Sequence, residues 1–191
     1  SADAAALPGR VDWRLRLRWN GVAAQLQADC CTPRAVGLRV RWRPGATLLT
    51  IGPAQVQWPA AMLAGLGTPW NTLQFEGDLQ LSTQGLSVEW VEGRQAVAGR
   101  AELMALRMAS RLSTLRPMGS YRITLQGGAP ATLAVDTLEG SLQLSGTGQW
   151  VGSRLRFRGE ASAAPEREAA LANLLNIIGR RSGARSIISI G

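Results

Sequence analysis

The chain has 191 residues, 46% of them hydrophobic, with 21 basic and 13 acidic side chains for a net charge of +8. That length covers one large domain or two small ones, and the apolar content excludes a disordered chain. It contains no histidine, which removes the usual general base, the commonest metal ligand and the charge switch near neutral pH.

Residues 1–10, opening Ser1-Ala2-Asp3-Ala4-Ala5-Ala6-Leu7-Pro8-Gly9, read as a linker. Period-two alternation then dominates. Trp13, Leu15, Leu17 and Trp19 interleave with Arg14, Arg16 and Arg18, which predicts a half-buried strand with one apolar face and one arginine face. Gly21 ends it, and Val22 to Gln27 is the return strand. Cys30 and Cys31 are the only cysteines, and they are adjacent, so no long-range internal disulfide exists. They read as two small, partly buried thiols; a strained vicinal disulfide and a bond to another chain are the alternatives.

Leu38, Val40 and Trp42 alternate with Arg39, Arg41 and Arg43, and Pro44-Gly45 marks a turn. Thr47 to Trp58 follows as a strand carrying Pro53, the mark of an edge or a bulge. Pro59 to Gly65 predicts a short helical turn region. Trp70 to Leu81 and Leu86 to Val91 read as strands. Gln95 to Ser110 has helix propensity in Glu102-Leu103-Met104-Ala105-Leu106, but its setting among strands favours a long strand. Tyr121 to Gln126, Ala131 to Asp136, Ser141 to Trp150 and Arg154 to Ala161 complete the β pattern. One helix opens at Pro165 with Glu166 and Glu168 at its positive end. Its Leu171, Leu174, Leu175 and Ile178 form a single apolar stripe. The apolar tail Ser186 to Ile190 is expected to pair with a sheet or pack beneath that helix.

Glu76-Gly77-Asp78-Leu79-Gln80-Leu81-Ser82 recurs as Glu139-Gly140-Ser141-Leu142-Gln143-Leu144-Ser145, each copy followed by a tryptophan, Trp90 or Trp150. Two similar β-meander units, at about residues 70–101 and 133–161, account for this within a single domain spanning residues 11–191. The expected fold is mainly β: a strongly twisted antiparallel meander of about ten strands that curls into a sandwich or open barrel, with one C-terminal helix.

The residues do not assemble a catalytic constellation. Every basic residue is arginine, so neither a His-based triad nor lysine activation of a serine is available. Glu76 with Asp78 reads as a solvated strand face, and Glu166 with Glu168 as helix-dipole electrostatics. Gly127-Gly128 and Gly146-Thr147-Gly148 lack the context of a phosphate loop and read as turns. No metal set or cofactor motif is built from these residues. The unusual feature is three arginine rows: Arg14, Arg16, Arg18; Arg39, Arg41, Arg43; and Arg154, Arg156, Arg158. If their strands are neighbours, they make a broad basic surface for a partner; otherwise they are solvated sheet faces that discourage edge-to-edge aggregation. The tryptophans within strands (Trp13, Trp19, Trp42, Trp90, Trp150) read as core, which leaves no ring platform for nucleic acid. Trp58 and Trp70 flank the Pro/Gly-rich connection and are candidate interface anchors, unless that connection packs onto the sheet.

The segments Leu66-Gly67-Thr68-Pro69-Trp70-Asn71-Thr72-Leu73, Glu76-Gly77-Asp78-Leu79, Pro117-Met118-Gly119-Ser120-Tyr121-Arg122, Leu138-Glu139-Gly140-Ser141-Leu142-Gln143-Leu144-Ser145-Gly146 and Leu174-Leu175-Asn176-Ile177-Ile178-Gly179-Arg180-Arg181 stand in this order along the chain. Together they resemble the protein N family of the bacterial type II secretion system, also called general secretion pathway protein N. The resemblance implies a periplasmic domain whose full-length form is held in the inner membrane by one N-terminal helix. No stretch of the sequence shown reaches the ~20 apolar residues of such a helix, so residues 1–10 become the linker from it. It implies a non-enzymatic accessory or scaffold role without cofactors. The implied partners are inner-membrane platform subunits and the outer-membrane secretin, not nucleic acid. Lipid or hydrophobic-ligand binding by a Trp/Leu-lined inner face is the alternative function.

Overall fold

The computed structural model describes residues 9–68 and 70–191, so the expected linker lies outside the described residues at its first eight positions. The chain runs β1 (Val11–Arg18), β2 (Gly21–Ala28), β3 (Val36–Arg43), β4 (Ala46–Ile51), β5 (Ala54–Pro59), a 3₁₀ stretch (Ala60–Leu66), α1 (Trp70–Leu73), β6 (Phe75–Val91) and β7 (Arg94–Ser110). It continues with β8 (Gly119–Gly128), β9 (Thr132–Gly140), β10 (Leu142–Val151), β11 (Arg154–Ala163), a 3₁₀ turn (Pro165–Arg167), α2 (Glu168–Ile178), β12 (Arg180–Ser182) and β13 (Arg185–Ile190). All thirteen strands belong to one sheet, ordered β1-β2-β3-β4-β6-β7-β8-β9-β10-β11-β13-β12, with β5 also on β6. Every pairing is antiparallel, and the sheet is not closed into a barrel.

The long strand expected over Gln95 to Ser110 is β7. Here the apolar and small side chains repeat with a period of two, and burial of that face overrides the helix propensity of its middle. Two expectations are corrected. Trp70 opens a helical turn, not a strand; Trp70–Leu73 form α1, and β6 starts at Phe75 and runs unbroken to Val91. Thr47 to Trp58 is two strands, because Pro53 lacks the N–H that would continue the ladder.

The break at Pro53 is repaired by one side chain. β4 and β5 pair with the same side of β6 in one unslipped register, Thr50 opposite Ser87 and Ala54 opposite Thr83. The buried Thr83 hydroxyl accepts from the Ala54 N–H at 3.1 Å and donates to the Gly52 carbonyl at 3.1 Å. It thus supplies partners that the proline-interrupted backbone leaves without a mate. The free side of β5 is partly covered by the turn after β2, where the Cys31 carbonyl accepts the Gln57 N–H at 2.7 Å. In that turn Cys30 and Cys31 form a vicinal disulfide, correcting the two-thiol expectation. The residues lie in a turn and not on a strand, so their side chains are not forced to opposite faces.

The two 17-residue central strands bend together at facing glycines. Gly85 and Gly99 have φ of +57° and +88°, and the β6–β7 register slips between Gln84 and Ser87. A Cβ on Gly99 would collide with the Gly85 backbone, so only glycine permits this bulge. The first copy of the internal echo opens β6 of the β6–β7 hairpin; the second runs from the end of β9 into the start of β10 of the β10–β11 hairpin. In both, the glycine has positive φ (Gly77, Gly140) and the following leucine (Leu79, Leu142) is 2% exposed.

The core lies where α2 covers the sheet. The leucine stripe lands as expected: Leu171, Leu174 and Leu175 are buried with Leu79, Ala105, Met118, Tyr121, Leu142 and Ala161. Each such leucine contributes roughly 1.5–3 kcal/mol relative to leaving it in water. Buried hydroxyls pin the helix: Ser186 of β13 donates to the Leu175 carbonyl at 2.7 Å, and Ser113 to the Ala170 carbonyl at 3.1 Å.

Replacing Thr83 with the near-isosteric Val strands the Ala54 N–H and Gly52 carbonyl without changing volume. Urea unfolding of Thr83→Val is expected to show a loss of about 1–3 kcal/mol with an unchanged denaturant slope. A wild-type midpoint would show that the hydroxyl does not carry the junction.

Candidate arginine cleft and apolar trough

Two of the three arginine rows meet. Arg16 stands opposite Ala23 and Arg18 opposite Gly21 across β1–β2, and these face Arg39 and Arg41 across β2–β3. One face of the sheet therefore reads Arg16–Ala23–Arg39 and Arg18–Gly21–Arg41. Strands are about 4.8 Å apart, so the two arginine rows stand roughly 10 Å from each other over a floor of short side chains. The result is a cleft of about 220 Å³ walled by Arg14, Arg16, Arg18, Arg39 and Arg41. Gly21 is required here for close approach, because a Cβ would strike the Val40 carbonyl oxygen. The Trp42 N–H donates to the Asn20 carbonyl at 3.0 Å next to the β1–β2 turn. Arg43 lies one step beyond the cleft, opposite Ala46. The third row, Arg154, Arg156 and Arg158, is on β11, seven strand positions from β3. A single three-row surface is therefore not formed.

The cleft arginines differ in their partners from six others. Arg100, Arg107, Arg116, Arg122, Arg181 and Arg185 each have a carboxylate within 4.0 Å. Among the described residues, no such ion pair involves the five cleft arginines. Asp12 shares their face at the far end of β1, opposite Gln27. Neighbouring guanidiniums along each row stand about 7 Å apart, within a Debye length, and the five exposed side chains together concentrate positive potential over the bare floor. Their forked donors match carboxylate and phosphate oxygens, two N–H groups to two oxygens.

The opposite face of the same strands is apolar and uncovered, which corrects the reading of the strand tryptophans as core. Trp13 is 62% exposed, Leu17 80% and Trp19 92%, and Trp42 and Trp90 are exposed as well; Trp150 is half-buried. The alternation is as expected, but α2 packs on the other end of the sheet, against β11, β12 and β13.

Trp58 and Trp70 lie elsewhere. Trp58 packs against the core, and the Trp70 ring sits 6.2 Å from Phe75. Both line a trough of about 320 Å³ between the sheet, α2 and the 3₁₀ stretch, together with Leu103, Ile123, Leu144 and Leu174. Tyr121 also lines it, but its hydroxyl donates to the Leu142 carbonyl at 2.9 Å, and burial pushes its phenol above the ordinary range. The floor of the cleft is a feature that sequence reading missed, as is the part that Trp58 and Trp70 take in the Trp/Leu-lined trough. The small residues at alternate positions 21 and 23, between two arginine rows, were the available signal for the first.

The cleft arginines crowd like charges, so they do not serve stability. The double substitution Arg16→Gln with Arg39→Gln is expected to leave the unfolding free energy unchanged or raised by about 0.5 kcal/mol or less at low salt. A loss above about 1 kcal/mol in chemical denaturation would mark these side chains as structural.

The profile of the family described as type II secretion system (T2SS), protein N, matches residues 1–188. No curated protein and no solved structure matches the chain. The matched span takes in both faces of the β1–β3 region and the helix-covered core together. This chain belongs to the type II secretion system protein N family.

Proposed function

We propose that the chain is a non-enzymatic accessory or scaffold component of type II secretion. It works in the periplasm from an inner-membrane anchor and binds periplasmic parts of neighbouring subunits. The observation that carries this reading is the cleft of five arginines without carboxylate partners, beside an uncovered apolar face of the same strands. A surface that joins unneutralised charge to exposed aromatic side chains has the composition of a protein interface. Among the described residues no helix is long and apolar enough to cross a membrane, and no group of three or more metal-ligating side chains occurs. The platform subunits and the secretin are the partners proposed.

The test is capture of purified periplasmic domains of platform subunits and secretin from the same system by the full chain, at about 0.15 M salt. Wild type is expected to retain at least one of them. Changing Arg16, Arg18, Arg39 and Arg41 to Gln is expected to weaken retention and flatten its salt dependence. Equal retention by the variant would remove the cleft from the interface.

The trough supports a second reading, hydrophobic-ligand binding. Its volume lies at the lower end of ligand pockets, and its wall is apolar, built of aliphatic, aromatic and thioether side chains with a phenol that is already bonded. Native mass spectrometry of the chain purified from cells is expected to show one co-purified acyl-chain species, lost in Leu144→Trp. A spectrum of the bare chain alone would sink this reading.

A further inference from the structure

Resting on the scaffold reading above, we infer that β1 is an acceptor edge for an extended segment of a partner in which acidic and apolar residues alternate. The two ends of the sheet are built differently. At one end β12 has three residues, the short edge by which sheets avoid unwanted pairing. At the other, β1 has eight residues, every one exposed, with no proline and no bulge in its pairing with β2. Among the described residues β2 is its sole partner strand. Its outer backbone groups thus present a full-length template for a further strand.

The side chains select what can pair there. A strand added to β1 must match its pleat, since a slip of one residue moves every side chain to the wrong face. In the matched register one set of its side chains continues the face of Trp13, Leu15 and Leu17, where three large apolar groups stand 53–80% exposed. The other set falls beside Arg14, Arg16 and Arg18 at the wall of the cleft. A second copy of β1 is disfavoured: aligning apolar with apolar sets arginine against arginine, and like charges directly opposite are destabilising. A strand alternating Glu or Asp with Val, Ile or Leu satisfies both faces. Its carboxylates reach guanidiniums that have no carboxylate of their own, and its apolar residues cover part of the face that α2 leaves bare.

The probe is a synthetic peptide of about ten residues alternating Glu with Val, added to the full chain. Its controls are a Lys/Val alternating peptide and a peptide of the first composition with its glutamates in one block. Amide hydrogen exchange is expected to slow along β1 with the alternating acidic peptide, leaving β12 unchanged. Binding is expected to exceed that of the basic peptide by about tenfold or more, the ratio that three opposite-charge cross-strand pairs supply. Arg14→Glu with Arg16→Glu and Arg18→Glu is expected to invert that preference, which separates charge matching from a folding defect. Equal binding of the blocked peptide, protection centred on β3, or no binding overturns the inference. So does concentration-dependent protection of β1 in the chain alone, which would make the occupant a second copy. Peptide failure with subunit capture intact strikes this inference only; failure of both strikes the scaffold reading.

Discussion

A sheet one layer thick has two faces to keep from water, and this chain has one helix of eleven residues to do it. That mismatch governs the molecule. The stripe Leu171, Leu174 and Leu175 buries the sheet around Leu79, Tyr121, Leu142 and Ala161, and the 3₁₀ stretch and α1 close over the neighbouring part. Among the described residues, the strands toward the N-terminal edge receive no such cover. A soluble sheet without a second layer must manage its uncovered apolar positions, and large exposed apolar patches mark interaction surfaces. The exposure of Trp13, Leu17 and Trp19 follows from where α2 sits, not from any local irregularity in β1.

The same constraint separates what was legible in the sequence from what was not. Alternation in Trp13 to Arg18 reports that two side-chain classes point to opposite faces; it carries no information on whether either face is covered. The strand was therefore readable, and the burial of its tryptophans was not. α2 was readable because its stripe, its acidic first turn and Gly179 agree. β7 was readable against the helix propensity of Glu102 to Leu106 because its neighbours demand a long antiparallel partner. Trp70–Leu73 was misread because four residues are too few to show a period. The division of Thr47 to Trp58 was half legible: Pro53 announces a lost N–H, but only Thr83, thirty residues later, shows how the break is repaired.

The arginine rows show how a site can be present in the sequence and hidden in its order. Arg14 to Arg18 and Arg39 to Arg43 are separated by one strand, so a meander brings them together with β2 as the floor. Arg154 to Arg158 has the same local pattern and ends seven positions away. Spacing within a strand is thus a poor guide to clustering; the count of intervening strands decides it. The residues that make the cleft a cleft are Gly21 and Ala23, chosen for what they lack. Gly21 is held there by the Val40 carbonyl it would otherwise strike, so the requirements of strand pairing and of an open floor coincide.

Charge placement is uneven. Elsewhere on the molecule six arginines are matched to carboxylates, among them Arg116 to Glu76, Arg181 to Glu168 and Arg185 to Glu160, while among the described residues Arg154, Arg156 and Arg158 of β11 have no such pair. Exposed pairs of this kind contribute little to stability, a median of about 0–1 kcal/mol. On the helix-covered half they offset part of the positive charge. The surplus behind the net charge of +8 is concentrated in part where the apolar face is bare and the sheet edge long. A second copy of β1 sets these like charges opposite one another, which disfavours self-pairing. On the proposed acceptor role of β1, a partner that brings carboxylates meets them with opposite charge, so the same arrangement that rejects a copy selects the partner.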